Sequence, residues 1–323
     1  MAFALVLVAL LSACSPETQK AKELVASCDK GDAKACNDVA NRFQAGEHVL
    51  RDATRAAELF DKSCSGGVGD GCASLGSITL KGRRPRNGQE RKADRGAKPD
   101  TAGALALFRK GCDTGGMKGC ILLGTFYRKG ARVERNVTTA AALFKKACDG
   151  GDFVGCSSLV PLYASGEGVA QNLTTARDLA QHACDAKTKI GCVELGKLYL
   201  AGAGVPQNDS TAVTLFKKSC IGDSKEFEHY VVYSKDREAE GCFQYARALE
   251  LGKGTQQNFD RALDIYRETC EDSHPEACFR GGELYQKGAG AYRNPERADE
   301  MLKKACKLGY TAACNRPKPA PRA

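Results

Sequence analysis

The sequence predicts an all-α fold, a right-handed α/α solenoid of about seven to eight helix-hairpin repeats, and three observations carry the prediction. Sixteen of the 17 cysteines in the 323 residues fall into eight spaced pairs. The first members, Cys28, Cys64, Cys112, Cys148, Cys184, Cys220, Cys270 and Cys306, are separated by 36, 48, 36, 36, 36, 50 and 36 residues. Between those steps the chain repeats one grammar of glycine, aromatic and cap residues, and a fixed step near 36 marks stacked supersecondary units.

The clearest unit runs from Gly116 to Gly151. Its first half, Met117 to Gly130, places Cys120, Leu123, Gly124 and Tyr127 three or four apart, the spacing of one amphipathic helix face. Gly130 ends that helix, and Asn136 offers an N-cap before a second helix whose Ala141, Phe144 and Cys148 form one stripe. The same grammar recurs from Gly191 to Asn208 and from Ala277 to Asn294. Cap positions Asn136, Asn172 and Asn208 keep the 36-residue step, Asn258 and Asn294 resume it, and Asp52 and Asp100 stand at the corresponding places earlier. Glycine just before the aromatic, as in Gly196 with Tyr199 and Gly282 with Tyr285, costs about 1 kcal/mol in a free helix, so close helix approach must offset it.

Evenly spaced cysteines in this number point to an oxidising compartment. Zinc sites want ligands two to four apart and clustered in fours, whereas His48, His182, His229 and His274 are scattered, so disulfides are favoured over metal ligation. The seventeenth cysteine, Cys14, follows the uncharged apolar run Met1 to Ala13, and Leu11-Ser12-Ala13-Cys14 resembles the lipobox of bacterial lipoproteins. Cys14 would then be the lipidated N-terminus, and the run is too short to span a bilayer as a retained helix. An ordinary secretory signal with an incidental cysteine is the alternative.

The signatures G-x-x-Y-x-x-G-x-G-V-x-x-N and A-x-x-L-F-K-K-A-C closely resemble the Sel-one-like repeat, a subclass of tetratricopeptide-like solenoids, over residues 24–314. The C-x7-C pairs across hairpin junctions resemble, more narrowly, the cysteine-rich Hcp-type secreted proteins. That resemblance implies a solenoid stapled by disulfides Cys28–Cys36, Cys64–Cys72, Cys112–Cys120, Cys148–Cys156, Cys184–Cys192, Cys220–Cys242, Cys270–Cys278 and Cys306–Cys314. Seven residues separate the members of each pair except the sixth, which has 21. Two departures are local: Thr79 replaces the aromatic in the second repeat, and Pro161 interrupts Leu159 to Tyr163 in the fourth. Each staple should add roughly 2 to 3 kcal/mol, and with no C-x-x-C the thiols read as structural.

The chain therefore divides into a lipoprotein-type signal at 1–13, a tether and start of the first helix at 14–23, the solenoid at 24–314, and a basic, proline-rich tail at 315–323 expected to be disordered. The step of 48 arises from insertion 82–98, with seven basic and two acidic residues. It reads as a solvated loop or as a clamp for anionic groups. It lacks the interleaved aromatics that stack on nucleic acid. The step of 50 arises from insertion 222–239, whose Phe227, Tyr230 and Tyr233 would either cover the flank of a repeat or form a lid. Much of the formal charge of +9 belongs to the first insertion and the tail.

A solenoid presents one long face whose side chains vary while the frame stays constant. The candidate ligand contacts are Lys118, Arg128, Glu194, Lys197, Glu283 and Gln286, on the first helix of each hairpin. The expected protein is an exported, lipid-anchored monomeric scaffold at the periplasmic face of a bacterial membrane, or secreted, holding an envelope protein or a peptide or peptidoglycan fragment. No cofactor, metal or nucleic acid is called for. The Hcp-type resemblance also implies a β-lactamase or penicillin-binding hydrolase. The one S-x-x-K, Ser27 to Lys30, straddles Cys28 at a junction without S-D-N or K-T-G, so no catalytic residue is nominated.

Overall fold

The computed structural model describes residues 16–81, 99–221, 238–290 and 293–315. The signal 1–13 with Cys14, the basic insertion 82–98, residues 222–237 of the second insertion and 316–323 of the tail lie outside the described residues. Among the described residues there are 16 helices and no strand. In chain order they are α1 (Pro16–Asp29), α2 (Ala33–Ala45), α3 (Ala53–Ser65), α4 (Gly69–Leu80), α5 (Thr101–Asp113), α6 (Met117–Lys129), α7 (Val137–Asp149) and α8 (Phe153–Ser165). There follow α9 (Leu173–Asp185), α10 (Lys189–Ala201), α11 (Asp209–Ile221), α12 (Ala239–Leu251), α13 (Phe259–Glu271), α14 (Pro275–Lys287), α15 (Pro295–Lys307) and α16 (Thr311–Cys314). Seven hairpins, α2/α3 to α14/α15, are thus flanked by α1 and the short α16.

Each hairpin has a different device at each end. The second helix opens on a short polar cap: Asp52 and Asp100 accept from amides of the first turn, as do Asn136, Asn172, Asn208, Asn258 and Asn294 through Oδ1 at 2.8 to 3.0 Å. The first helix closes on a left-handed glycine in most repeats, for example Gly130 at φ 65° and Gly202 at φ 64°, each donating back to a carbonyl of the last turn. The turn between hairpins also needs one left-handed residue three places after the cysteine. Glycine fills it at Gly31, Gly67, Gly115, Gly151 and Gly309, but Lys187 (φ 61°) and Ser273 (φ 70°) stand there in two repeats. Glu238 is the N-cap of α12 and Ala239 its first residue, so the end of insertion 222–239 joins the repeat frame.

The described residues form two compact units, one made of those up to Gly155 with Glu167–Val169 and the other of Cys156–Gly166 with those from Ala170 onward. In each unit successive helices pack antiparallel, and helices of the same kind also touch, α4 with α6 in the first and α10 with α12 and α13 with α15 in the second. The core lies where first and second helices face one another. Four residues after the cysteine of a first helix stands Gly124, where an added Cβ would lie 2.8 Å from the ring of the fully buried Phe144; Gly196 and Phe216 repeat this at 2.6 Å. The missing side chain lets a benzyl ring fill the gap, which offsets the helix cost of glycine. In the fourth repeat the sizes exchange, with Val160 on the first helix and Ala180 on the second, both buried in one cluster. Pro161, a departure from the repeat motif, leaves the helix intact: α8 runs unbroken through it. Burial of Leu159, Val160 and Leu162 around it offsets the lost backbone bond, a cost of about 3 kcal/mol.

Disulfides join the end of one second helix to the start of the next first helix, among them Cys28–Cys36, Cys64–Cys72, Cys112–Cys120, Cys184–Cys192, Cys220–Cys242, Cys270–Cys278 and Cys306–Cys314. Their Cα atoms approach to 4.4 to 4.9 Å. Small residues immediately before the cysteines permit this: a Cβ at Gly119 would sit 2.7 Å from the Cys112 amide nitrogen, and one at Gly191 2.5 Å from Ala183 Cβ.

Candidate functional site

The first helices of the hairpins carry the polar side chains that the frame does not bury. In the first unit Lys118 lies two residues before Cys120 on α6, and its Nζ donates to Ser74 Oγ on α4 at 3.0 Å. Burial pushes its pKa below the ordinary lysine value, against the attraction of Asp70. Arg128, in the last turn of α6, lies over the Phe144 ring at 5.8 Å.

In the second unit a connected network runs across three first helices. Glu240, two residues before Cys242, occupies in α12 the register of Lys118. Its Oε1 accepts from Lys197 Nζ of α10 at 3.2 Å and from Gln244 Nε2 at 3.0 Å, and its Oε2 lies 3.2 Å from His274 Nε2. Lys197 also bonds Glu194 one turn earlier at 3.1 Å. His274 is the N-cap of α14: its Nδ1 accepts from the Ala277 amide at 3.2 Å, so the ring proton sits on Nε2 and is donated to Glu240. The imidazole stacks on Phe243 with centroids 4.8 Å apart.

The electrostatics follow from these contacts. The hydrogen bond from His274 is the main reason that the Glu240 pKa falls to about 2, with burial opposing it and Gln244 and Lys197 assisting. Burial works against the Lys197 charge, but Glu194 and Glu240 outweigh it and raise its pKa. Burial raises the pKa of Glu238 beside them. Further along, Tyr266 donates to Glu250 Oε2 at 2.7 Å, and burial drives its phenol well above the ordinary value. Arg280 on α14 pairs with Glu283 at 3.3 Å, while its Nε is buried without a partner.

Of the six expected contact residues, five are engaged inside the chain: Lys118 with Ser74, Arg128 with the Phe144 ring, Glu194 and Lys197 with one another, and Glu283 with Arg280. Gln286 is exposed. Glu240, Gln244 and His274, which hold the network together, were not singled out from the sequence. The signal available was register: Glu240 repeats the position of Lys118, and His274 stands at the junction turn rather than at random. Ser27 and Lys30 form part of a junction turn, where the Ser27 carbonyl accepts from the Lys30 and Asp32 amides at 3.1 Å. Among the described residues no group of three His, Cys, Asp or Glu side chains could hold a metal ion.

Bridges in this number belong to an oxidising, extracytoplasmic location. No helix of the described residues is long and apolar enough to cross a membrane.

The family model of the Sel1 repeat matches residues 33–68, 118–152, 162–187, 190–224, 239–274 and 275–310, more than half of the chain. No curated protein matches the sequence. Similar solved structures include c5321, a protective antigen present in uropathogenic Escherichia coli strains displaying an SLR fold, 22% identical over 91% of this chain and 57% of that one with a TM-score of 0.53. This chain therefore spans little more than half of that relative's length. A Sel1 repeat protein from Oxalobacter formigenes is 18% identical over 92% of this chain and 79% of that one, with a TM-score of 0.57. Helicobacter pylori cysteine rich protein B is 25% identical over 46% of this chain and 97% of that one, with a TM-score of 0.33. The hairpin frame, the glycine-to-ring packing and the matched segments agree: the chain belongs to the Sel1 repeat family and is a repeat scaffold of the kind that mediates protein–protein interaction.

Proposed function

We propose that the protein is an exported scaffold, anchored by lipid on Cys14 at the periplasmic face of a bacterial membrane, that holds an envelope protein or peptide on its first-helix layer as a monomer. The observation that carries this reading is the staple at the hairpin junctions, since a ladder of such bonds persists only where thiols are oxidised. A Cys148–Cys156 bond would complete that ladder. The layer would offer its partner a face already fixed by the Lys118–Ser74 and Lys197–Glu240 links, so little ordering cost falls on binding. Two measurements test it. Labelled palmitate should be incorporated by the natural chain and not by Cys14→Ser, which should leave the membrane fraction. A photo-crosslinker at Gln286 should capture a discrete envelope partner, while one at Lys303 on a second helix should not. Membrane association unchanged by Cys14→Ser overturns the anchor, and equal capture from both positions overturns the face.

A further inference from the structure

On the other side of the second unit, a cleft of about 470 Å³ opens between second helices α13 and α15, with Arg267, Glu271, Tyr285, Arg297, Glu300 and Lys304 among its walls. Part of this arrangement belongs to the frame. Between the second and third repeats Arg109, three residues before Cys112, donates to the Tyr127 hydroxyl at 3.1 Å, and Arg267 stands in the same register before Cys270 with Tyr285 in hydrogen-bond reach. Asp264 and Glu268 on its own helix, each at 3.5 Å, balance its charge.

The rest of the cleft is not balanced in this way. Arg297 directs its guanidinium to the same phenol, with Nη1 3.3 Å from the Tyr285 hydroxyl and Cζ 5.9 Å from the ring centroid. It does so from the first turn of α15, the end of a helix that disfavours a cation. Among the described residues no carboxylate lies within ion-pair distance of Arg297 or of the half-buried Lys304. Glu271 and Glu300 are exposed carboxylates on the same cleft and pair with neither cation. Two cations and two anions therefore line one cavity without neutralising each other, around an aromatic residue that is only 5% exposed. A cavity of this size suits a small molecule, and separated charges of both signs suit one that carries both.

We propose that this cleft binds a small zwitterion with a free carboxylate and a free ammonium, an amino acid or short peptide. Its carboxylate would lie against Arg297 and Lys304, and its ammonium against Glu271 and Glu300. The site is separate from the first-helix layer and does not depend on the partner held there.

Calorimetric titration of the full, oxidised chain with trialanine and with free alanine tests it. At least one probe should bind saturably, and the stronger of the two identifies the source of the zwitterion. Capping the preferred probe as its amide or its N-acetyl derivative should weaken binding about tenfold or more, as should Arg297→Ala and Glu300→Gln, both changes at exposed side chains. Arg297→Lys, which keeps the charge and loses the planar fork, should fall between. The proposal is overturned if neither probe binds, if the amide binds as well as the free carboxylate, or if binding survives Arg297→Ala in a variant with an unchanged thermal midpoint.

Discussion

Gly124 and Phe144 behave as one packing unit: the glycine leaves the space that the ring occupies, and a Cβ at 2.8 Å from that ring could not be added without movement. The Val160 and Ala180 pair fills the same place with the sizes exchanged. Truncating Phe144, a fully buried side chain, to alanine should cost about 3 to 5 kcal/mol. Adding Gly124→Val to Phe144→Ala should recover part of that loss, although Gly124→Val alone should destabilise by about 1 to 3 kcal/mol through overpacking. Urea unfolding of the two single variants and the double variant measures the coupling. Additive costs would mean that the two positions do not share one space.

Helices α10, α12 and α14 are tied through Glu240, and the tie depends on its ionised form. Its folded pKa of about 2 lies below the ordinary 4.5, so the stability it contributes is fully present above the ordinary value and is lost as pH falls from 4.5 towards 2. The link to Lys197 is half-exposed and screened by salt, so the His274 contact carries more of the effect. The thermal midpoint of the natural chain should therefore fall more steeply over that acid window than that of Glu240→Gln, as scanning calorimetry at several pH values would record. Parallel curves would remove Glu240 from the account.

Over the whole molecule the stabilisation is distributed, because a repeat chain buries its apolar surface between neighbours and each junction needs its own tie. Replacing Cys184 and Cys192 together by alanine should cost about 2 to 3 kcal/mol, the loop-closure value for a short ring. Replacing Cys220 and Cys242, whose sequence separation is 22 rather than 8, should cost somewhat more. Midpoints in denaturant under oxidising conditions check the order. Ser273 and Lys187, in left-handed turns that other junctions give to glycine, show that the staple and packing hold the turn even where the residue does not favour it.

The amino-acid sequence by itself determined the repeat step, the hairpins, the caps and the placing of the small residues beside the cysteines. Each is a local matter: a cap bonds an amide two or three residues away, and a helix face repeats every third or fourth residue. Only the tertiary structure decided what crosses between helices. Lys197, Glu240 and His274 come from residues 34 or more apart, and their union depends on helix register and side-chain reach, which spacing does not encode. For the same reason the expected contacts Lys118, Glu194 and Glu283 turned out to be engaged within the chain, and α8 tolerates Pro161 because its buried neighbours outweigh one missing bond. Arg297 meets Tyr285 because α15 folds back on α14 within one hairpin, and the packing of α15 beside α13 makes it a wall of the cleft.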